Sequence, residues 1–171
     1  MRRLIVVFLV VLAAAGFYRS FGSAETGTGN LTLPQPAPTV NDPAPTFTAE
    51  TMRGDPFTLS DEGVYALAFW STLNESSNEA QPGFARLAEE YEEDGVSFAV
   101  VYVNSAPGGG DAPYAVLQDP SGKLTSLYNV KHVPRLFVVE NGDIKLVQNG
   151  YYEGSEEDLE EVLKEALADG S

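Results

Sequence analysis

The chain has 171 residues, of which 43% are hydrophobic and 11% aromatic, so it is long and apolar enough for about one domain with a hydrophobic core. Ten Lys and Arg stand against 25 Asp and Glu, a formal net charge of -15, which argues against the basic face that nucleic-acid binding requires. No cysteine is present, and this excludes disulfides, thiolate catalysis and cysteine-ligated metal sites.

The N-terminus has the pattern of an export segment. Arg2 and Arg3 precede an uncharged, largely apolar run over residues 4–18, and Arg19 follows it. At about 1.5 Å per residue the run is shorter than the roughly 30 Å hydrocarbon core of a membrane, which favours a signal peptide and leaves an uncleaved membrane anchor open. Because basic residues stay on the cytoplasmic side, we predict an extracytoplasmic protein, in the periplasm or on the outer face of the cell membrane.

The composition divides the chain into three parts. Residues 1–24 form the signal peptide or membrane anchor, and residues 25–43 form a Pro-rich linker in which extended polyproline geometry is expected. Residues 44–171 carry the alternating apolar patterns of a folded domain. We therefore predict one folded domain behind an N-terminal spacer.

The first half of this domain predicts a hairpin followed by a strand, a helix and a strand. Residues 47–59 contain two short strand patterns around a Gly turn, and residues 65–70 form a continuous apolar run typical of a fully buried strand. The next segment changes to helical spacing, with Phe84, Leu87 and Tyr91 on one face, before a second buried strand over residues 96–103.

The second half predicts a strand over residues 114–118 and a short helix over residues 123–128. Asn141-Gly142 joins two strand patterns, over residues 135–140 and 144–148, and is the strongest hairpin signal in the chain. Ser155 is predicted to cap a last amphipathic helix. The Gly-rich segment of residues 105–113 is interpreted as a shortened loop. The predicted fold class is α/β, a mixed central sheet flanked by helices.

Three motifs in residues 44–171 resemble the thioredoxin-like fold. They are Phe69-Trp70 at the end of the central strand, Pro82 in the following helix, and the segment from Tyr128 to Val133-Pro134 before an antiparallel hairpin. In this respect the domain is similar to the exported TlpA/ResA-type thiol-disulfide oxidoreductases of the redoxin group. The resemblance implies that Pro134 is the family's cis-proline and that Val133 presents its backbone to an extended substrate. Arg135 departs from the small or hydroxyl residue usual beside that proline.

The sequence departs from this family at its reactive centre. Asn74 and Ser77 occupy the two positions of the family's Cys-x-x-Cys motif. Thiol-disulfide exchange needs an attacking thiolate and a second sulfur, so this chain alone cannot perform it. We predict no catalytic cysteine, no cofactor and no metal site, and Trp70, Val133 and Pro134 as binding residues.

Other roles for these residues remain open. Ser77 could act as a nucleophile if the single histidine, His132, served as its base. Asn74, Ser76 and Ser77 are all favoured helix N-caps, and Ser76 with Glu79 fits a capping box. We weigh two functions. The first is a non-redox module of the cell envelope that binds an extended segment of a partner protein. The alternative is an enzyme: a redoxin-type component working with a thiol-bearing partner in envelope redox homeostasis, or a hydrolase built on Ser77.

Overall fold

The structure is a computed structural model, and residues 36–107 and 111–169 are described. The export segment 1–24, the linker up to residue 35 and residues 108–110 of the Gly-rich segment lie outside the described residues. Within the described ranges, no helix is both long enough and apolar enough to cross a membrane.

Strands and helices follow the order predicted from the sequence. The strands are β1 (Phe47–Glu50), β2 (Pro56–Leu59), β3 (Val64–Trp70), β4 (Val96–Tyr102), β5 (Ala115–Gln118), β6 (Arg135–Glu140) and β7 (Asp143–Asn149). The helices are α1 (Glu75–Glu90), α2 (Lys123–Leu127) and α3 (Ser155–Asp169). Ser155 is the first residue of α3, and its hydroxyl accepts a hydrogen bond from the Tyr152 amide at 2.8 Å.

The central sheet is mixed, as predicted, and has the strand order β5-β4-β3-β6-β7. Strands β3, β4 and β5 are parallel, whereas β6 pairs antiparallel with both β3 and β7. β3 is the middle strand and its residues from Tyr65 to Trp70 are all buried, which explains the uninterrupted apolar run in the sequence. β1 and β2 form a separate antiparallel pair.

Alternate residues of β3 face two different cores. Trp70 belongs to the core that includes residues of α1 and α3, and Phe69 to the core that includes Leu124 of α2 and Leu59 of β2. Helices therefore cover both faces of the sheet. Successive side chains of a strand point to opposite faces, so Phe69 and Trp70 at the end of β3 face different cores.

The β6–β7 hairpin forms where the sequence predicted it. Asn141 and Gly142 both have positive φ, 48° and 84°, as a two-residue hairpin turn requires. The end of the Pro-rich segment is attached to this hairpin, because the Asn41 amide donates to the Ile144 carbonyl at 2.8 Å and the Ala44 amide donates to the Gly142 carbonyl at 2.7 Å. The fold thus holds the chain from about residue 41 onward.

Candidate functional site

One end of the sheet brings together the residues singled out in the sequence. β3 ends at Trp70, and α1 begins five residues later at Glu75. Because β6 is antiparallel to β3, its first residue Arg135 lies opposite Phe69, and Pro134 immediately precedes it. The start of α1 and the segment before β6 therefore meet at this end, which we call the site end.

Asn74 is the N-cap of α1. Its backbone is extended, with φ −108° and ψ 122°, and its side-chain oxygen Oδ1 accepts the Ser77 amide at 2.9 Å. The proposed capping box of Ser76 and Glu79 is wrong, because helix α1 starts one residue before Ser76. The amide oxygen of Asn74 thus satisfies one of the backbone donors that every helix leaves free at its N-terminus.

Ser77 is buried and both sides of its hydroxyl are engaged. It is 2% exposed, and Oγ donates to Asn74 Oδ1 at 3.2 Å and accepts the Ser71 amide at 3.3 Å. An amide oxygen is not a base, so this arrangement does not activate a serine nucleophile. His132 is exposed in the loop before Pro134 and forms no hydrogen bond with Ser77, so the structure does not assemble the pair that the hydrolase hypothesis requires.

The loop between Trp70 and α1 presents an apolar side chain that the sequence analysis did not single out. Leu73 is 88% exposed, the highest value among the large hydrophobic side chains of the described residues. Its amide donates to Ser71 Oγ at 3.2 Å, and the neighbouring Thr72 exchanges bonds of 3.2 and 2.7 Å with the side chain of Asn104. The loop backbone is therefore held in place while Leu73 points into solvent.

Trp70 is a core residue that also lines a small pocket. It is 3% exposed and packs edge to face against Phe84, with 5.2 Å between the ring centroids. It also walls a small pocket of about 30 Å³, together with Pro134, Leu136, Gln148 and other residues of α1 and α3. A pocket of this volume has room for a water molecule or a methyl-sized group and not for a whole side chain as large as tryptophan.

Pro134 lines this pocket, and Val133 precedes it and packs against the core on the other face of the sheet. The peptide bond between them is cis, Pro134 is buried, and the Pro134 carbonyl accepts the Gly150 amide at 2.8 Å. In contrast, the backbone amides and carbonyls of Lys131, His132 and Val133 form no hydrogen bond with any described residue. This short bend before β6 therefore has backbone donors and acceptors that are not used by the described residues.

Tyr128, where this segment begins, anchors it to the second core. The side chain is fully buried, and its hydroxyl donates to the Pro45 carbonyl at 2.7 Å. Burial raises the pKa of the Tyr128 phenol, so it stays neutral well into the alkaline range. The backbone of residues 131–133 therefore follows a residue that is firmly anchored in the core.

Arg135 is the one basic residue within the site end whose charge is partly buried. Its guanidinium carbon lies 5.1 Å from the centre of the Phe137 ring, and burial lowers the pKa of the side chain. Among the described residues, Arg135 forms no salt bridge, and its buried Nε has no hydrogen-bond partner. The buried Oε1 of Gln148, which lines the pocket, is also without one.

Across residues 36–107 and 111–169, no three or more His, Asp or Glu side chains lie close enough together to hold a metal ion.

The comparisons with known proteins agree with this geometry. The model of the AhpC/TSA family matches residues 40–147. A Chlorobium tepidum protein described as a DsbE-type thiol:disulfide interchange protein has a TM-score of 0.68 and 26% identity, covering 77% of this chain and 99% of its own. No curated protein sequence matches the chain.

Two further solved structures share the fold at lower identity. A secreted Mycobacterium tuberculosis disulfide oxidoreductase has a TM-score of 0.58 and 21% identity, covering 69% of this chain and 94% of its own. The exposed lipoprotein thioredoxin of Streptococcus pneumoniae has a TM-score of 0.60 and 24% identity, covering 71% and 99%. These likenesses confirm the thioredoxin-like fold and the redoxin-group resemblance.

Proposed function

The chain belongs to the AhpC/TSA family, and from that premise we propose that it is a non-redox binding module of the cell envelope, which holds an extended segment of a partner protein beside Pro134. The observation that carries this proposal is the unpaired backbone of residues 131–133. An extended peptide can add to such an edge through main-chain hydrogen bonds, which gives affinity without any catalytic group.

The chemistry available at the helix start supports binding over redox catalysis. The chain has no cysteine, and the residues at the two cysteine positions hydrogen-bond to each other through Ser77 Oγ and Asn74 Oδ1 at 3.2 Å. Neither group can form a disulfide or accept electrons. The site end therefore lacks the atoms with which a thiol-disulfide oxidoreductase reacts, and we assign it a binding role alone.

Leu73 supplies the apolar part of the proposed surface. A single exposed leucine is common on soluble proteins and has no meaning by itself. Here, however, the hydrogen bonds of Thr72 and Leu73 hold the loop backbone in one conformation, so little side-chain or loop entropy is lost when a partner covers the leucine. We assign it the role of an apolar contact beside the backbone-pairing segment.

The proposed location follows from the export pattern at the N-terminus and from the relatives. Of the similar solved structures, one is a secreted protein and another is an exposed lipoprotein. The strong negative charge suits a protein that must remain soluble near an anionic membrane. We therefore place the folded domain outside the cytoplasmic membrane.

Binding can be tested with an array of acetylated, amidated octapeptides probed with the full chain. We expect binders, and for the tightest of them we expect Leu73→Ser to weaken binding about fivefold to tenfold, since it removes most of the apolar area of one leucine. Met52→Ser is the matched control, because Met52 is 45% exposed on the β1–β2 turn and lies outside the site end.

The same preparation is tested for insulin reduction with dithiothreitol present. We expect the rate to equal that of dithiothreitol alone. An array without any binder, or a wild-type protein that accelerates insulin reduction, would overturn the proposed function. The second result would favour the alternative of a redoxin-type component.

A further inference from the structure

We propose that the partner segment presents an acidic side chain, Asp or Glu, whose carboxylate pairs with Arg135. This inference rests on the proposed function and names the chemistry of the bound segment.

The position of Arg135 places it against the proposed peptide. It follows Pro134 directly and lies opposite Phe69, at the end of the sheet where β3 stops. The backbone of residues 131–133, which we assign to peptide pairing, ends two residues earlier. A side chain of an extended segment bound there is within reach of the guanidinium, because neighbouring strands lie about 5 Å apart.

No described residue supplies Arg135 with a carboxylate, although the chain has 25 acidic residues and only ten basic ones. Arg86, Lys145 and Lys164 each form a salt bridge within the domain. Lys123 and Lys131 form none in the described structure, but both are exposed to solvent. Arg135 differs from these two lysines because its side chain is partly buried, and this burial lowers its pKa.

The local energetics favour a carboxylate partner. Partial burial removes water from the guanidinium, and contact with the Phe137 ring compensates only in part for the lost hydration. A guanidinium has five N–H donors in a planar fork that matches a carboxylate in two parallel hydrogen bonds. An incoming carboxylate would therefore satisfy donors that are already partly desolvated.

One buried polar atom of Arg135 is left unsatisfied. Arg135 Nε has no hydrogen-bond partner among the described residues. The guanidinium lies on the face of β6 that carries Phe137, whereas Gln148, whose buried Oε1 also has no partner, pairs with Leu136 on the opposite face. Native structures leave few such atoms, and the one on Arg135 is a donor that a bound carboxylate can satisfy.

The experiment scans the tightest octapeptide, replacing each position in turn by Glu, Gln and Lys, with both termini blocked. For wild type we expect one position at which Glu binds about tenfold more tightly than Gln, as for a charge-assisted hydrogen-bonded pair. Arg135→Gln should remove that preference. Lys123→Gln should retain it, because Lys123 has the same charge, is exposed and lies outside the segment assigned to peptide binding.

Each other outcome separates the two proposals. If peptides bind without a Glu preference, or if Arg135→Gln keeps it, the inference fails and the proposed function stands. If Lys123→Gln removes the preference equally, the effect is general charge attraction and the inference fails. If no peptide binds, both fail.

Arg135→Lys guards against an unfolded glutamine variant. Lysine keeps the positive charge but lacks the planar pair of donors of a guanidinium. The ratio of Glu-peptide affinity to Gln-peptide affinity should therefore fall below the wild-type value of about ten but stay above one. An unchanged preference would contradict a bidentate pair with the guanidinium.

Discussion

The two halves of the site end differ in how far their polar groups satisfy one another. At the start of α1, Asn74, Ser77 and Ser71 form a closed set of hydrogen bonds and Ser77 is 2% exposed. Before β6, the backbone of residues 131–133 is unpaired and Arg135 has no carboxylate partner in the described structure. We call these the closed half and the open half.

This difference bears on the proposed binding function. At the helix start, Asn74 acts as a structural cap, and the chain has no thiol whose pKa the helix could lower. Lys131 and His132 are exposed, so their backbone groups are left to solvent or to a partner. The contrast is the one expected of the proposed module, which binds without redox chemistry.

The largest expected effect comes from reversing the closed half. Asn74→Cys with Ser77→Cys should convert a protein that does not catalyse insulin reduction into one that does, because the helix N-terminus favours a thiolate and the two positions have the spacing of Cys-x-x-Cys. The measurement is insulin turbidity with dithiothreitol.

Asn74→Cys alone is the control for that gain. It has an attacking thiol and no resolving thiol, so we expect no turnover. A double variant whose thiols stay free under oxidising conditions would show that residues 74 and 77 are not placed like the family's cysteines, and the comparison of halves would lose its basis.

The second effect concerns the stability of the closed half. Ser77→Ala should lower the free energy of unfolding by about 1–3 kcal/mol, because the buried Ser71 amide then has no acceptor. Ser76→Ala should change it by less than about 0.5 kcal/mol, since Asn74 is the cap. Urea unfolding measures both. Equal losses in the two variants would contradict the hydrogen-bond assignment.

This pair also shows what the sequence could predict. Asn74, Ser76 and Ser77 all have side chains that cap helices, and the choice among them depends on where the loop after Trp70 ends. That loop is held by Asn104, 32 residues from Thr72, and no local pattern contains such a bond. The strands and the Asn141-Gly142 turn were predictable because period and turn chemistry are local properties.

The properties of the open half were harder to predict from the sequence, for a similar reason. The resemblance to the redoxin group directed attention to Val133 and Pro134, and the sequence alone marked Arg135 only as unusual. Whether an arginine has a partner depends on which of 25 acidic side chains the fold brings near it. Leu73 was overlooked because one leucine in a polar loop has no periodicity.

The third expected effect concerns Tyr128, the buried residue that anchors the chain before the open half. Burial raises the pKa of Tyr128 above its ordinary value of 10.0, so the stability from its neutral phenol is fully present below pH 10 and is lost as the pH rises from there toward the folded-state pKa. Urea unfolding between pH 8 and 11.5 should show a decline beginning near pH 10. In Tyr128→Phe the decline should be shallower, with a loss of about 1 kcal/mol at pH 8 from the missing bond to Pro45. A wild-type curve no steeper than that of the variant would mean that Tyr128 titrates like an exposed tyrosine.

The smallest expected effect is the most discriminating for the open half. If Arg135 is there to meet a ligand, then Arg135→Gln should change the free energy of unfolding by less than about 0.5 kcal/mol, because no salt bridge with a described residue is lost and the removal of an incompletely solvated charge offsets the lost contact with the Phe137 ring. Lys145→Gln on the next strand is the matched control. It should cost about 1 kcal/mol, since Glu140 is buried and Lys145 Nζ lies 3.2 Å from its carboxylate. If Arg135→Gln lowers the free energy of unfolding more than Lys145→Gln does, the guanidinium is a structural group that stabilises the fold through Phe137. The polar groups of the open half would then be satisfied within the domain, like those at the start of α1.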